Sequence, residues 1–392
     1  MPKENRYNPK GLEISLLLQG GGALGSYQAG VYQALHEADL MPHWVVGTSI
    51  GAINAALIAG NPPENRIERL RQFWDRVSHF DWFAASQSMD WLHRFNAWSA
   101  IASALLWGVP GFFRPHFSNF LFPGTEVEPD MAGFYDTRPL LGTLNELIDF
   151  DYLNAPGGMR LTVNAMNVRT GQMAEFDNTR ETITADHIRA SGALPPGFPP
   201  VAVDGQLYWD GGLYSNTPLE TVFGDLPAKD ALCFMVDLWR AQGDNPVTMA
   251  EVNTRQKDVS YASRSERHIE NYLNVHDLQC RIDKLYASLP KRARTSADFE
   301  KKVEKGCRSL IHIVRLAYTG SDWHMAAKDI NFSAGSLRWR WQLGYEMARR
   351  SIERMAWAER VEGNIGLIVH EPEKNPAATH ARQLPYAKHA NG

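Results

Sequence analysis

Apolar and polar positions along the first sixty residues alternate between short solid blocks and helical spacing. Glu13–Gln19 is a compact apolar run followed by glycines, the pattern of a strand covered on both faces. After Gly20-Gly21-Gly22-Ala23-Leu24-Gly25, the positions Tyr27, Gly30, Val31, Ala34, Leu35 and Ala38 follow i, i+3, i+4, i+7 spacing and predict a helix. Trp44-Val45-Val46 reads as a second strand. It runs through Gly47-Thr48-Ser49-Ile50-Gly51 into an alanine-rich helix, Ala52 to Ala59, stopped by Gly60-Asn61-Pro62-Pro63. Strand, turn and helix repeated in this order predict parallel strands joined by crossover helices.

The pattern then breaks. The 43 residues from Phe80 to Phe122 contain 12 Phe or Trp, with only Asp81, Asp90, Arg94 and Arg114 charged. An insertion is expected here, either a satellite core or a lid-like, lipid-facing element. Strands resume at Leu161–Ala165 and Met173–Phe176, and Thr184-Ala185-Asp186 can cap a short helix ended by Pro195-Pro196. Gln206–Trp209 and Leu232–Leu238 are strand-like. Beyond Trp239 the chain becomes polar and helical, notably over Val252–Leu273 and Leu337–Arg360, with one apolar run at Leu310–Leu316. The polar tail from Glu371 to Gly392 is expected to be mobile.

Composition narrows the function classes. The 392 residues are 44% hydrophobic, which excludes a mainly disordered chain. Forty basic against forty-four acidic residues leave a net charge of -4, so no nucleic acid partner is expected. Three scattered cysteines, Cys233, Cys280 and Cys307, form no disulfide framework or zinc cluster and suit a reducing compartment. No secretory segment or spanning helix stands out, so a soluble, cytoplasmic protein is expected. The basic stretch Lys291-Arg292-Ala293-Arg294 is followed by interleaved Asp298, Glu300 and Glu304, and reads as a solvated helix face.

Two glycine motifs carry candidate chemistry. In Gly47-Thr48-Ser49-Ile50-Gly51, glycines two residues either side relieve the crowding of a sharp strand-to-helix turn, on which a nucleophilic serine protrudes. Gly20, Gly22 and Gly25 fit the spacing of a dinucleotide-binding loop. That reading needs an acidic residue at the end of the second strand, which ends instead in the serine turn. The alternative is an oxyanion hole built from the N–H groups of Gly21 and Gly22. No histidine sits in a constellation that would activate Ser49. Asp210, in Trp209-Asp210-Gly211-Gly212, stands at the end of a predicted strand and is a candidate base, although Asp-Gly could also be a plain hairpin turn.

In this order, Gly20–Gly22, Gly47–Gly51, the block Ala190-Ser191-Gly192-Ala193-Leu194-Pro195-Pro196-Gly197-Phe198-Pro199-Pro200-Val201, and Asp210-Gly211-Gly212 resemble the patatin-like phospholipase family over Leu12 to Leu238. The resemblance implies a three-layer α/β/α fold with a mainly parallel sheet over 12–238. A mostly helical C-terminal extension over 239–370 has no counterpart in the minimal family domain. It implies a serine lipid acyl hydrolase with a Ser–Asp dyad: Ser49 as nucleophile, Asp210 as base, and Gly20, Gly21 and Gly22 as the oxyanion loop. Gly47 and Gly51 would shape the nucleophile elbow, and Gly211 and Gly212 would belong to the Asp-Gly-Gly motif. The implied partner is a phospholipid or other acyl ester, with peripheral membrane contact allowed. No cofactor and no metal are implied. Many members carry Arg or Lys where Leu24 stands, so a cation beside the oxyanion loop is missing, which bears on rate and headgroup preference. An aspartate can serve as base only where a dry site raises its basicity, and the Ala193–Val201 block with Tyr208-Trp209 could wall such a site. Two other readings are a low-activity scaffold docked on membranes or lipid inclusions, and an α/β-hydrolase using a remote His312 or His324.

Overall fold

The computed structural model describes residues 12–79, 90–122, 124–225, 230–290, 310–320, 327–355, 357 and 367–371. The elements in chain order are β1 (Glu13–Leu18), α1 (Ser26–Glu37), β2 (Trp44–Thr48), α2 (Ile50–Ala59), α3 (Arg66–Arg76) and α4 (Asp90–Trp107). Next come β3 (Arg114–Pro115), α5 (Phe117–Leu121), β4 (Tyr135–Asp136), α6 (Arg138–Leu147), α7 (Phe150–Asn154), β5 (Arg160–Asn167) and β6 (Met173–Asp177). The chain continues through α8 (Ala185–Ser191), β7 (Val201–Val203), β8 (Gln206–Asp210), α9 (Leu219–Asp225) and β9 (Ala231–Asp237). It closes with α10 (Met249–Ser288), β10 (Ile311–Ala317), α11 (Ala334–Arg354) and β11 (Leu367–His370).

Among the described residues, one sheet of nine strands runs in the order β11-β10-β9-β1-β2-β5-β8-β7, with β6 also on β5. From β11 to β5 every pairing is parallel, and β6, β8 and β7 add an antiparallel flank. The central strands are solid apolar because both faces are covered. Leu16, Leu18 and Val45 belong to the large core that includes α1 and α2, whereas Leu17, Val46 and Met235 turn to a second core that includes Leu219 of α9 and Ile269 of α10. The result is three layers, helix on sheet on helix.

The predicted strands and helices of the first sixty residues form within two residues of the expected bounds. The helical stretch after Trp239 is longer than its periodicity indicated, reaching Ser288 in α10. The apolar run at Leu310–Leu316 is strand β10, which extends the same sheet beside β9. The C-terminal part is thus mostly helical and also supplies two parallel strands. Its helix α11 lies on α1 at a pair of glycines. A Cβ on Gly30 would sit 1.9 Å from the Trp341 carbonyl oxygen, and one on Gly344 would sit 2.0 Å from that of Tyr27. The two backbones therefore touch directly.

The aromatic segment is partly described. Residues 80–89 of it, the basic stretch at 291–294 and the tail beyond 371 lie outside the described residues. Cys233 is free and fully buried, while Cys280 is disulfide-bonded, a pairing the scattered spacing did not predict. Among the described residues no helix is long and apolar enough to cross a membrane.

Candidate functional site

β1 and β9 are neighbours, but the chain leaves β1 towards β2 and leaves β9 the opposite way towards β10, so a crevice opens at the carboxyl ends of these strands. Gly20–Gly22 follow β1, Ser49 follows β2 and Trp239 follows β9, and all of them line one cavity of about 300 Å³. Asp210 ends β8, whose register pairs it with Ala165 of β5. One residue earlier on the same edge of β5, opposite the edge that β6 takes, Asn164 pairs with Thr48 beside Ser49. The ends of β2 and β8 thereby meet along one edge of β5, and the Ser49 hydroxyl donates a hydrogen bond to the Asp210 carboxylate.

Ser49 occupies the sharp turn its flanking glycines predict. Its φ is +57°, in the left-handed region that a serine rarely enters. The glycines are sterically required: a Cβ on Gly47 would lie 2.4 Å from the Gly51 carbonyl oxygen, and one on Gly51 would lie 2.1 Å from that of Leu18. Behind the turn, the Ser49 N–H donates to the Ser191 hydroxyl at 2.9 Å, which donates to the Asn164 carbonyl at 2.6 Å. The start of α2 immediately follows, directing its positive end toward position 49.

Asp210 is 2% exposed. Burial raises its pKa from 3.8 to about 6, opposed by hydrogen bonds from the Ser49 hydroxyl and the Gly212 N–H at 2.7 Å. The Asp-Gly-Gly segment is therefore a short turn capped by its own aspartate rather than a hairpin. The hairpin in this region lies earlier, at Asp204-Gly205 between β7 and β8, where both residues have positive φ. A Cβ on Gly211 would lie 2.5 Å from the Asn164 carbonyl oxygen, so this residue lets β8 close against β5.

The glycine loop is held at both ends. Gly20 carbonyl accepts from Asn216 Nδ2 at 3.0 Å and from Trp239 Nε1 at 2.8 Å, and the Ala23 N–H donates to the Asp329 carbonyl at 2.8 Å. Between these anchors, the N–H groups of Gly21 and Gly22 meet no acceptor among the described residues. Leu24 is fully buried. The cation among the described lining residues is instead Lys257 of α10, and it is paired with Asp329.

The remaining walls are apolar. Leu194 to Phe198 supply one side, as the Pro-rich block suggested, and Leu105, Phe112, Phe113 and Tyr135 another. Tyr208 and Trp209 are not in the lining; Tyr208 packs on Phe176 instead. No histidine is among the described lining residues. His312 is buried against His370, with 2.9 Å between ring nitrogens, and His324 lies outside the described residues. Sequence reading assigned no role to Ser191, Asn216, Trp239, Lys257, Tyr261 or Asp329. The first two stand within or beside the quoted motifs; the others carry no local signal.

Among the described residues, one trio of possible metal ligands comes together elsewhere, Glu181, His187 and Asp204. His187 Nδ1 accepts the Thr184 N–H at 3.1 Å in the capping box of α8, which leaves the ring proton on Nε2 facing Glu181 at 3.6 Å. A protonated nitrogen has no lone pair to give a cation, so the trio fits helix capping better than metal binding.

A family model described as patatin-like phospholipase matches residues 16–223, more than half of the chain, and a second, described as patatin phospholipase, matches residues 259–364. An uncharacterized NTE family protein of Mycobacterium tuberculosis is 29% identical over 231 residues, 59% of this chain and 31% of its own length. The patatin-like phospholipase domain-containing protein 6 of Homo sapiens is 28% identical over 54% of this chain and 12% of its own length. The triacylglycerol lipase ptl3 of Schizosaccharomyces pombe is 44% identical over 59 residues, covering 15% of this chain and 12% of that protein. The chain thus spans less than a third of the length of these curated relatives. Among solved structures, VipD from Legionella pneumophila aligns over 87% of this chain and 67% of its own, with 14% identity and a TM-score of 0.37.

Proposed function

The chain belongs to the patatin-like phospholipase family, and from that premise we propose that it hydrolyses fatty-acyl esters of lipids through an acyl-serine intermediate. The observation that carries this reading is the hydrogen bond from the Ser49 hydroxyl to a buried carboxylate whose pKa is raised to about 6. Such a carboxylate remains mostly ionised at neutral pH yet binds a proton more readily than a solvated aspartate.

In this mechanism Ser49 Oγ attacks the ester carbonyl carbon while its proton passes to Asp210. The carbonyl oxygen becomes an oxyanion that accepts the N–H groups of Gly21 and Gly22. Collapse breaks the ester C–O bond, and the leaving alkoxide takes the proton from Asp210. Water then attacks the acyl-Ser49 carbonyl, giving its proton to Asp210, and the fatty acid departs as Ser49 is reprotonated. The apolar walls suit the acyl chain and exclude water from the dyad.

Peripheral membrane contact is part of the proposal. The end of α4 and the α5 region expose Leu105, Leu106, Trp107, Phe117, Leu121 and Phe122, and Leu105 also lines the cavity. An uncharged apolar rim at the mouth of a lipid site suits a bilayer surface. A fluorophosphonate probe tests the catalytic reading: labelling of the wild type that is lost in Ser49→Ala supports it. A folded wild type that takes no label favours a docking scaffold.

A further inference from the structure

Two consecutive residues of α10, Lys257 and Asp258, face two consecutive residues of the segment before α11, Lys328 and Asp329, with their charges crossed. Lys257 Nζ meets both Asp329 carboxylate oxygens at 2.8 and 2.9 Å, and Lys328 Nζ meets the Asp258 carboxylate at 2.7 Å. The four charges neutralise one another in pairs, and all four side chains are at least partly buried. Both pairs lead to the glycine loop. The Asp329 backbone carbonyl takes the Ala23 N–H, and a Cβ on Gly22 would lie 2.3 Å from that same oxygen. Lys328 Nζ lies 5.0 Å from the centre of the Trp239 ring, whose Nε1 donates to the Gly20 carbonyl.

The clasp thus sits behind both ends of a loop whose middle two amides have no protein acceptor among the described residues. Lys257, Asp329 and Trp239 all lie outside the 16–223 match. A loop that donates hydrogen bonds to a transient oxyanion loses its advantage if it must reorganise, so fixing its ends is chemically useful. We propose that Lys257 and Asp329 are positioning residues of this site: their ion pair seats the Asp329 carbonyl on Gly22-Ala23 and so sets the Gly21 and Gly22 amides. The inference rests on the hydrolase reading for its kinetic consequence, but not for its structural one. The buried Arg340 also holds the segment, donating to the Lys328 and Asn331 carbonyls at 3.0 and 3.1 Å, and is the competing anchor.

The test compares wild type with Lys257→Met, Lys257→Arg, and the charge-swapped Lys257→Asp/Asp329→Lys, using the full chain. Amide hydrogen exchange is followed on the peptide containing Gly20–Leu24, and kinetics on an uncharged p-nitrophenyl acyl ester. We expect Lys257→Met to speed exchange in this peptide by about tenfold. Its kcat should fall about 10- to 100-fold with KM nearly unchanged. Lys257→Arg and the charge swap should recover both. Exchange unchanged in Lys257→Met would overturn the proposal and leave Arg340 as the anchor. A loss confined to phosphate-bearing esters, expressed in KM and not recovered by the swap, would instead make Lys257 a headgroup ligand. If the wild type shows no Ser49-dependent turnover, the hydrolase reading fails while the exchange result still decides the clasp.

Discussion

Ser191 stands directly behind Ser49: its hydroxyl accepts the Ser49 N–H at 2.9 Å although the two residues are 142 positions apart in the chain. Through the same oxygen it donates to Asn164 at 2.6 Å, so one buried hydroxyl ties the serine turn to β5, the strand that also pairs with β8 and Asp210. Ser191→Ala would leave the Ser49 N–H without that acceptor in a strained turn. The expected cost is about 1–3 kcal/mol of stability, with a kcat reduced while KM is largely kept. Denaturant titration beside steady-state kinetics checks both.

Asp210 predicts opposite effects on activity and on stability. Activity needs the carboxylate, so the rate should fall as pH drops through about 6. A rate limb near 6 that persists in Asp210→Asn but vanishes on replacing a histidine would refute the dyad.

For stability the sign runs the other way. The folded state binds the Asp210 proton more tightly than the unfolded chain does, so the stability this contributes is fully present below pH 3.8 and is lost as pH rises through about 6. A pKa raised from 3.8 to about 6 corresponds to about 3 kcal/mol. Asp210→Asn should therefore be inactive, and its stability relative to wild type should improve steadily between about pH 4 and pH 7. Unfolding curves at several pH values measure that difference.

At the α1–α11 crossing, Gly344→Ala would drive a methyl group to 2.0 Å from the Tyr27 carbonyl oxygen. Backbone on both sides prevents relief by a rotamer change. A loss of about 2–3 kcal/mol is expected from forced separation of the helices, read as a lower midpoint in thermal unfolding.

Trp107 and Leu121 are 75% and 72% exposed, so replacing both by serine should leave folding nearly unaffected. If this rim meets a bilayer, the double variant should bind phosphatidylcholine vesicles at least about tenfold more weakly, since each side chain can contribute about 1.5–3 kcal/mol on burial. Turnover of a water-soluble ester should stay within about twofold of wild type. Vesicle sedimentation paired with an ester assay separates the two.

Local sequence determined a great deal here: β1, β2 and their helices follow from apolar runs and 3.6-residue spacing, and the elbow follows from glycines that only one backbone path requires. Those signals are short-ranged, because strand burial, helix periodicity and turn sterics act over a few neighbouring residues. The meeting of Ser49 with Asp210 depended on the pairing of β5 with both β2 and β8, which no spacing encodes. Lys257, Asp258, Lys328 and Asp329 look like ordinary surface charges when read along the chain. Only folding set one dipeptide against the other, because an ion pair is defined by distance in space. In the same way, burial of Asp210 by residues from distant segments is what raised its pKa, a property that belongs to the assembled core and to no stretch of sequence alone.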